Sequence, residues 1–395
     1  MKNGEVMKRI GKLKGRTAVI VLSSVAAIIL ILAAGIYLYI HSMINKINIV
    51  DKAGPQSLEG SFSDSLAYDK EKDETGSERP QITANSNIAV EDMDEKDLLA
   101  ADMPAASEDE IAAIEEKLQS NLAKSDIKYD KNVLNILLIG SDSRKSGGSG
   151  RSDAMILISI NKKKKIITAT SILRDIYLKI PGRDKSNRIN AAFAYGGADL
   201  LLDTIKQNFK INVDKYVIID FFAFIDMVDA VGGVTVDVTK DDIPIINGYV
   251  KELNKLTGVD EKCDWLKNDG QLLLNGKQAL GYARNRYIGT DFKRTARQRD
   301  ILKQVFDKVK DLKITKIIEL ANQILPQVTT NLKESEIFTL LLSLPSYIKY
   351  DIKQETIPAA GTYNNVRIRG MAVLSIDFEE NINMLHKSLY SDEAD

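Results

Sequence analysis

Arginine is concentrated in this sequence where lysine is not. Residues 131–395 contain 27 Lys and 12 Arg, and ten of those Arg fall in two windows, 144–188 and 284–299, with only eight of the Lys. A solvated surface in so Lys-rich a chain is written in Lys. The planar guanidinium is the group that grips phosphate or carboxylate through two parallel hydrogen bonds. Two chemistries fit: anion binding, or Arg–carboxylate pairs that brace loops. Position favours the first. Arg144 closes GSDSR (140–144), Arg151 and Asp153 lie in GRSDAM (150–155), Arg174 in LRD (173–175), and Arg284 and Arg286 in YARNR (282–286). The first three motifs sit at the ends of apolar runs, where loops of α/β sheets carry ligand sites. Gly147, Gly148 and Gly150 permit close backbone approach, but no GxxxxGK[ST] is present, so a nucleotide P-loop is unsupported.

Composition narrows the chemistry further. One Cys excludes an internal disulfide framework and a Cys-based zinc site. The two His, His41 and His386, leave little material for a Ser-His-Asp triad or a His-rich metal centre. Carboxylates, Arg, Lys, hydroxyls and an oxygen-bound metal remain.

The elements that must position these residues read as α/β. Val133–Ile139 is a buried strand by its apolar run, and 154–160 with 166–172 flank NKKKK as a hairpin. Helices are predicted over 191–209, 221–230, 276–282, 291–310, 314–324 and 334–344. Strands are predicted at 216–219, 234–238, 353–357 and 373–376, and Asp377 caps a last helix to about Tyr390. Phe221, Phe222, Phe224, Ile225, Met227 and Val228 make the 221–230 helix apolar almost all round, which predicts burial.

The net charge of −1 averages unlike segments. Residues 1–16 are a basic stub of net +5, 17–40 carry no charge, 41–130 are net −12 and 131–395 net +6. A helix over 17–40 would reach about 36 Å, enough to cross a hydrocarbon core of about 30 Å. The basic flank fixes the N-terminus in the cytoplasm. A cleaved signal peptide is the competing reading, against which stands the length of the apolar stretch. Residues 41–130 read as an acidic, mostly disordered spacer, with one short helix from a Ser107 cap. Residues 131–395 read as one domain.

GSDSR, GRSDAMILISIN, SILRDIYLKIPG, INAAFAYGG, VDAVGGVTVDV, LNGKQALGYARNR and DFKRTARQRD follow in this order. Together they resemble the catalytic domain of the LytR-CpsA-Psr family. The resemblance implies an α-β-α sandwich with a central mixed sheet and an apolar lipid tunnel, preceded by one transmembrane helix. It implies transfer of an anionic glycopolymer, such as teichoic acid or capsule, from a polyprenyl-pyrophosphate carrier to peptidoglycan as a phosphodiester. The partners would be the lipid-linked polymer, the peptidoglycan acceptor and the cell membrane of a Gram-positive type envelope, with no nucleic acid. Asp142 and Asp153 would hold Mg2+, a hard ion that prefers oxygen. Arg151, Arg174, Arg284 and Arg286 would clamp the pyrophosphate, with Arg144 a further member or a brace.

Asp291 matches the family pattern as the group that orients or deprotonates the acceptor hydroxyl, and its position equally makes it a helix cap. Gln298 belongs to the same pattern, and Arg294 lies one turn before it on the same helix face. Asp175 and Arg188 read as structural ion-pair members. Phe221, Phe222, Phe224, Ile225 and Val228 are ordinary core by their pattern and tunnel lining by the resemblance. Two other activities fit the residues: a polyprenyl-pyrophosphate pyrophosphatase, and a non-catalytic membrane-bound regulator of the cell envelope.

Overall fold

The computed structural model describes residues 41–50, 105–141, 152–285 and 291–390, with the backbone alone described at Ser141, Asp153, Ile314, Ile317 and Ile318. The expected membrane span and most of the expected spacer lie outside these residues. Among the described residues, no helix is long and apolar enough to cross a membrane.

Along the chain a short strand, β1 (Asn48–Ile49), is followed by helix α1 (Glu108–Ala123) and strands β2 (Val133–Ser141), β3 (Ser152–Asn161) and β4 (Ile166–Ile172). Two-residue strands β5 (Tyr177–Leu178) and β6 (Asn187–Arg188) precede α2 (Ile189–Phe209), β7 (Lys215–Ile219), α3 (Phe221–Ala230), β8 (Val234–Val238) and α4 (Asp242–Thr257). Then come β9 (Gly270–Leu274), α5 (Gly276–Arg284), α6 (Asp291–Lys310), α7 (Ile314–Ile324), β10 (Val328–Thr330) and α8 (Glu334–Tyr347). Strands β11 (Asp351–Ile357), β12 (Tyr363–Ile368) and β13 (Met371–Ile376) lead to α9 (Phe378–Tyr390). The chain divides into two compact units, one formed by Val50–Ile218, Gly289–Arg299 and Asp351–Asp395, the other by Met1–Ile49, Ile219–Ile288 and Asp300–Tyr350.

The first, the sheet unit, holds a run of five paired strands in the order β7, β2, β3, β4, β11, besides the separate pairs β5–β6 and β12–β13. The sheet is mixed: β2–β3 and β3–β4 are antiparallel, and β4–β11 is parallel. The hairpin turn is local chemistry. Asn161 Oδ1 accepts from the backbone N–H of Lys163 and Lys164, which closes the turn before β4. Helices α2 and α9 lie against β3, and Leu137, Leu157, Leu201, Ile205, Phe209 and Leu385 share one core. Asp377 caps α9, accepting from the Glu380 N–H at 3.0 Å.

Helix α1 opens with a reciprocal Ser107–Glu110 capping box and sends Ile111 and Leu118 into that core. Its Glu115 accepts from the Tyr177 hydroxyl at 2.8 Å and from Ser186. Burial, reinforced by Glu115, pushes the Tyr177 phenol well above its ordinary pKa. The helix expected over 191–209 is not continuous. Gly196 and Gly197 are non-helical, and Gly197 at φ +64° breaks it in a conformation closed to most side chains.

In the second, the helical unit, α3, α4 and α5 pack around Val228, Ile246, Val250, Leu274 and Ala279, joined by Ile301 and Val305 from the later part of α6. Strands β8 and β9 form an antiparallel ribbon and β1 pairs in parallel with β10. Gly276 lets α5 approach α3 closely: a Cβ there would stand 2.3 Å from the Ile225 carbonyl oxygen. Its N–H donates to Asp229 Oδ1 at 2.7 Å.

Candidate functional site

In the sheet unit the C-terminal ends of β2 and β4 share one edge with the N-terminal end of β3, since both neighbours run antiparallel to it. Arg174 follows β4 at this edge. The residue before it, Leu173, donates its N–H to the Ile357 carbonyl at 2.9 Å, and the Arg174 carbonyl accepts from Asn190 N–H at 3.4 Å. Both ends of the turn are therefore tied down by backbone bonds.

The Arg174 side chain is 3% exposed, and its Nε lies 3.7 Å from Asp175 Oδ1 and 3.8 Å from Asp291 Oδ2. Arg188 approaches the same Asp175 oxygen at 3.8 Å, and Arg294 approaches Asp291 Oδ1 at 3.4 Å. The result is a row of alternating charge, Arg188–Asp175–Arg174–Asp291–Arg294. Buried charges persist only when answered by opposite charge.

Asp291 is the first residue of α6, so its carboxylate stands at the positive end of the helix. Arg294 lies three residues on and Gln298 four beyond that, which puts all three on one helix face. Arg294 is buried and Gln298 half-buried. The pairing of Asp175 with Arg188 agrees with the structural role read from sequence.

Asp142, Arg144, Arg151 and Arg286 lie outside the described residues, as does the Asp153 side chain. Their neighbours are informative. Ser141 pairs with Ser152 beside an irregularity in the ladder, so the residues preceding Asp142 and Asp153 face each other across β2 and β3. Among the described residues, no group of three or more His, Cys, Asp or Glu could hold a metal ion.

Arg284 belongs to the helical unit, where it ends α5. Its guanidinium carbon lies 4.2 Å from the Phe221 ring centroid and 4.8 Å from that of Tyr249. Such stacking engages the cation's face and leaves its N–H edge for a ligand. The next residue, Asn285, is fully buried and donates Nδ2 to Asp242 Oδ1 at 2.7 Å. The other Asp242 oxygen accepts from the Thr239 N–H at 3.0 Å and from its hydroxyl at 2.6 Å. These contacts fix the backbone that carries Arg284.

Asp242, Asn285 and Tyr249 escaped the sequence reading. Tyr249 and Asp242 sit on or at the start of a helix that was not anticipated. Asn285 lay inside YARNR, flanked by two Arg that drew the attention.

Helix α3 differs from its expectation. Asp220 caps it, accepting from the Ala223 N–H. Of its side chains only Ala223, Ile225 and Val228 are buried; Phe221 and Phe224 are partly covered, and Phe222 is 40% exposed. Its neighbours α5 and α7 cover part of its circumference. The apolar character all round therefore reports something other than complete burial.

A sequence model of the LytR_cpsA_psr family matches residues 100–387. Regulatory protein MsrR of Staphylococcus aureus is 34% identical over 245 residues, spanning 61% of this chain and 68% of MsrR. Polyisoprenyl-teichoic acid–peptidoglycan teichoic acid transferase TagV of Bacillus subtilis is 32% identical over 237 residues, 58% of each chain. Among solved structures, B. subtilis TagT bound to LIIa-WTA superposes with a TM-score of 0.52 at 27% identity, covering 66% of this chain and 92% of TagT.

Proposed function

This chain belongs to the LytR_cpsA_psr family, and on that premise we propose that it is a membrane-anchored, extracytoplasmic phosphotransferase. Its donor is an anionic glycopolymer on polyprenyl pyrophosphate, and its acceptor is a peptidoglycan hydroxyl. The observation that carries the reading is the meeting of Arg174, Asp291 and Arg294 within 4 Å steps at a sheet edge. The relative named as a teichoic acid transferase supports the same chemistry.

The acceptor oxygen attacks the phosphorus that bears the glycopolymer. A new P–O bond forms, the bond from that phosphorus to the bridging oxygen breaks, and polyprenyl phosphate leaves with the bridging oxygen. The hydroxyl proton passes to Asp291 or to water. Asp291 is held by two guanidiniums that stabilise its negative charge, so its main task is to orient the hydroxyl. On the family pattern alone, Arg151, Arg174, Arg284 and Arg286 would offset the negative charge of the pyrophosphate as it redistributes. Arg294 holds Asp291 at 3.4 Å, and Gln298 lies one turn further along the same helix face. Asp142 and Asp153 would hold Mg2+, which when bound neutralises charge on the phosphate oxygens. The exposed Phe222 and half-covered Phe221 and Phe224 offer apolar surface to the prenyl chain.

Purified full-length chain, given magnesium, lipid-linked polymer and peptidoglycan, should yield a polymer–peptidoglycan phosphodiester. Chelation, or Arg174→Ala, should abolish it. Release of polymer phosphate to water alone would instead identify a pyrophosphatase. A regulatory reading has the name of MsrR in its favour. Full in vivo function of an Asp142→Ala, Asp153→Ala chain would support that reading and sink the enzymatic ones. The exposed Cys263 reports topology: an impermeant maleimide should label it in intact cells, and labelling only after lysis would overturn the extracytoplasmic assignment.

A further inference from the structure

A cavity of about 570 Å³ opens in the sheet unit, lined by Phe292, Glu355, Ile357, Pro358, Tyr363 and Met384 among others. Phe292 is the residue after Asp291. Ile357 is the residue whose carbonyl holds Leu173, the residue before Arg174. One wall thus begins at the residue after Asp291, and another is joined by a backbone hydrogen bond to the segment that carries Arg174.

The lining is specific in character. Phe292 and Tyr363 stack with centroids 5.0 Å apart at 27°, which builds a broad aromatic surface. Against it stands Glu355, whose carboxylate accepts from Ser388 at 2.5 Å. The rim is fixed. Buried Asn381 accepts from the Ala359 N–H at 2.9 Å and donates to Thr362 Oγ1 at 2.8 Å, so the turn after β11 is held in place. A preformed cavity of this volume, mostly apolar with a few placed polar groups, has the form of a ligand site.

Charge decides which substrate it fits. None of the lining residues is basic, and one is acidic, so an anionic polymer finds repulsion there and no counter-charge. A prenyl chain would press hydrocarbon against the Glu355 carboxylate, which costs solvation without return. A pyranose has an apolar face for aromatic rings and a hydroxyl edge for carboxylate and hydroxyl partners.

We propose that this cavity is the acceptor subsite, taking hexosamine rings of a glycan strand and delivering their hydroxyl toward Asp291. The proposal rests on the phosphotransferase reading above and adds to it the place where the acceptor docks.

The test uses the full-length chain, a soluble tetramer of β-1,4-linked N-acetylglucosamine as binding probe, and Ala360→Trp to fill the cavity from its exposed rim. Saturation-transfer NMR should detect the tetramer on the native chain and not on Ala360→Trp. In the coupled reaction that variant should raise the acceptor KM by about tenfold or more and lower the ratio of transfer to hydrolysis. Tyr363→Ala, which removes half of the aromatic surface without adding bulk, should shift the same ratio in the same direction. Unfolding midpoints of both variants guard against misfolding. An unchanged acceptor KM in both variants, a parallel loss of hydrolysis and transfer, or no tetramer binding to the native chain would overturn the proposal. Tetramer binding lost in Ala360→Trp, in a chain that transfers nothing, would leave the glycan site standing and remove the phosphotransferase reading.

Discussion

Arg174 and Arg284 are held in opposite ways. Arg174 lies between two carboxylates at 3.7 and 3.8 Å, almost without exposure. Arg284 lies between two aromatic rings, partly exposed, and among the described residues no carboxylate comes within ion-pair distance of it. A carboxylate answers the charge of a guanidinium; a ring answers only its face. Arg174 is therefore part of the fold as well as of the site, whereas Arg284 has its charge and its N–H edge in reserve. One motif-level description, an arginine near phosphate, covers two physically different devices.

The largest effect is expected at Arg174. Arg174→Ala takes one cationic partner from each of Asp175 and Asp291, which keep Arg188 and Arg294, and leaves a gap in a buried row, a cost of about 1–3 kcal/mol. Chemical unfolding should show that loss, together with a fall in transfer of about a thousandfold. Native-like stability in this variant would break the comparison.

Arg284→Ala should lower the transfer rate by about a hundredfold while the unfolding free energy stays within about 0.5 kcal/mol, as for other exposed sites. A stability loss matching that of Arg174→Ala would show that ring stacking is structural after all.

Asp242→Ala sharpens the contrast from one side. It removes the acceptor that the buried Asn285 amide reaches at 2.7 Å, a cost of about 1–3 kcal/mol. Its kinetic effect should be small when combined with Arg284→Ala, because both act through the same guanidinium. A double mutant whose losses simply add would refute the positioning role.

Phe221→Leu keeps apolar bulk and removes one ring from the stack. The expected change is about 0.5–1 kcal/mol, read as a few-fold rise in donor KM.

His386, outside both regions, gives the smallest effect. Burial holds its pKa below the usual histidine value, although its ring donates to the Lys210 carbonyl at 2.9 Å. The unfolded chain then binds more protons than the folded one, so stability falls as pH drops below about 6.5 toward the depressed folded value. His386→Gln should flatten the unfolding midpoint over that range.

Much of the fold was legible because its signals are local. The Ser107 cap, the NKKKK turn begun by Asn161 and the Asp377 cap each act within a few residues. What escaped was carried by distant partners. Helix α4 begins at Asp242 with Pro244 in its first turn, where Pro is accommodated, and Gly248 in its interior, so its local signal is weak and its packing against α5 carries it. Strand β12, with two Asn, exists because β13 supplies its ladder. The break at Gly196–Gly197 was masked by a continuous apolar stripe. The partial exposure of α3 depends on which neighbours cover it, and hydropathy does not name neighbours.

The sequence by itself determined the stock of chemistry: Arg and Asp without usable His or Cys, the motifs that hold them, and the strands and helices on which they ride. Those are properties of composition and of short-range backbone preference. Only the tertiary structure decided that Arg174 meets Asp291, that Arg284 stacks between Phe221 and Tyr249, and that Phe292 and Tyr363 line a cavity in the sheet unit. Each of these contacts joins residues far apart in the chain. Chain topology brings them together, and burial then fixes their partners, because a charge or a ring removed from water must be answered by whatever the fold has set beside it.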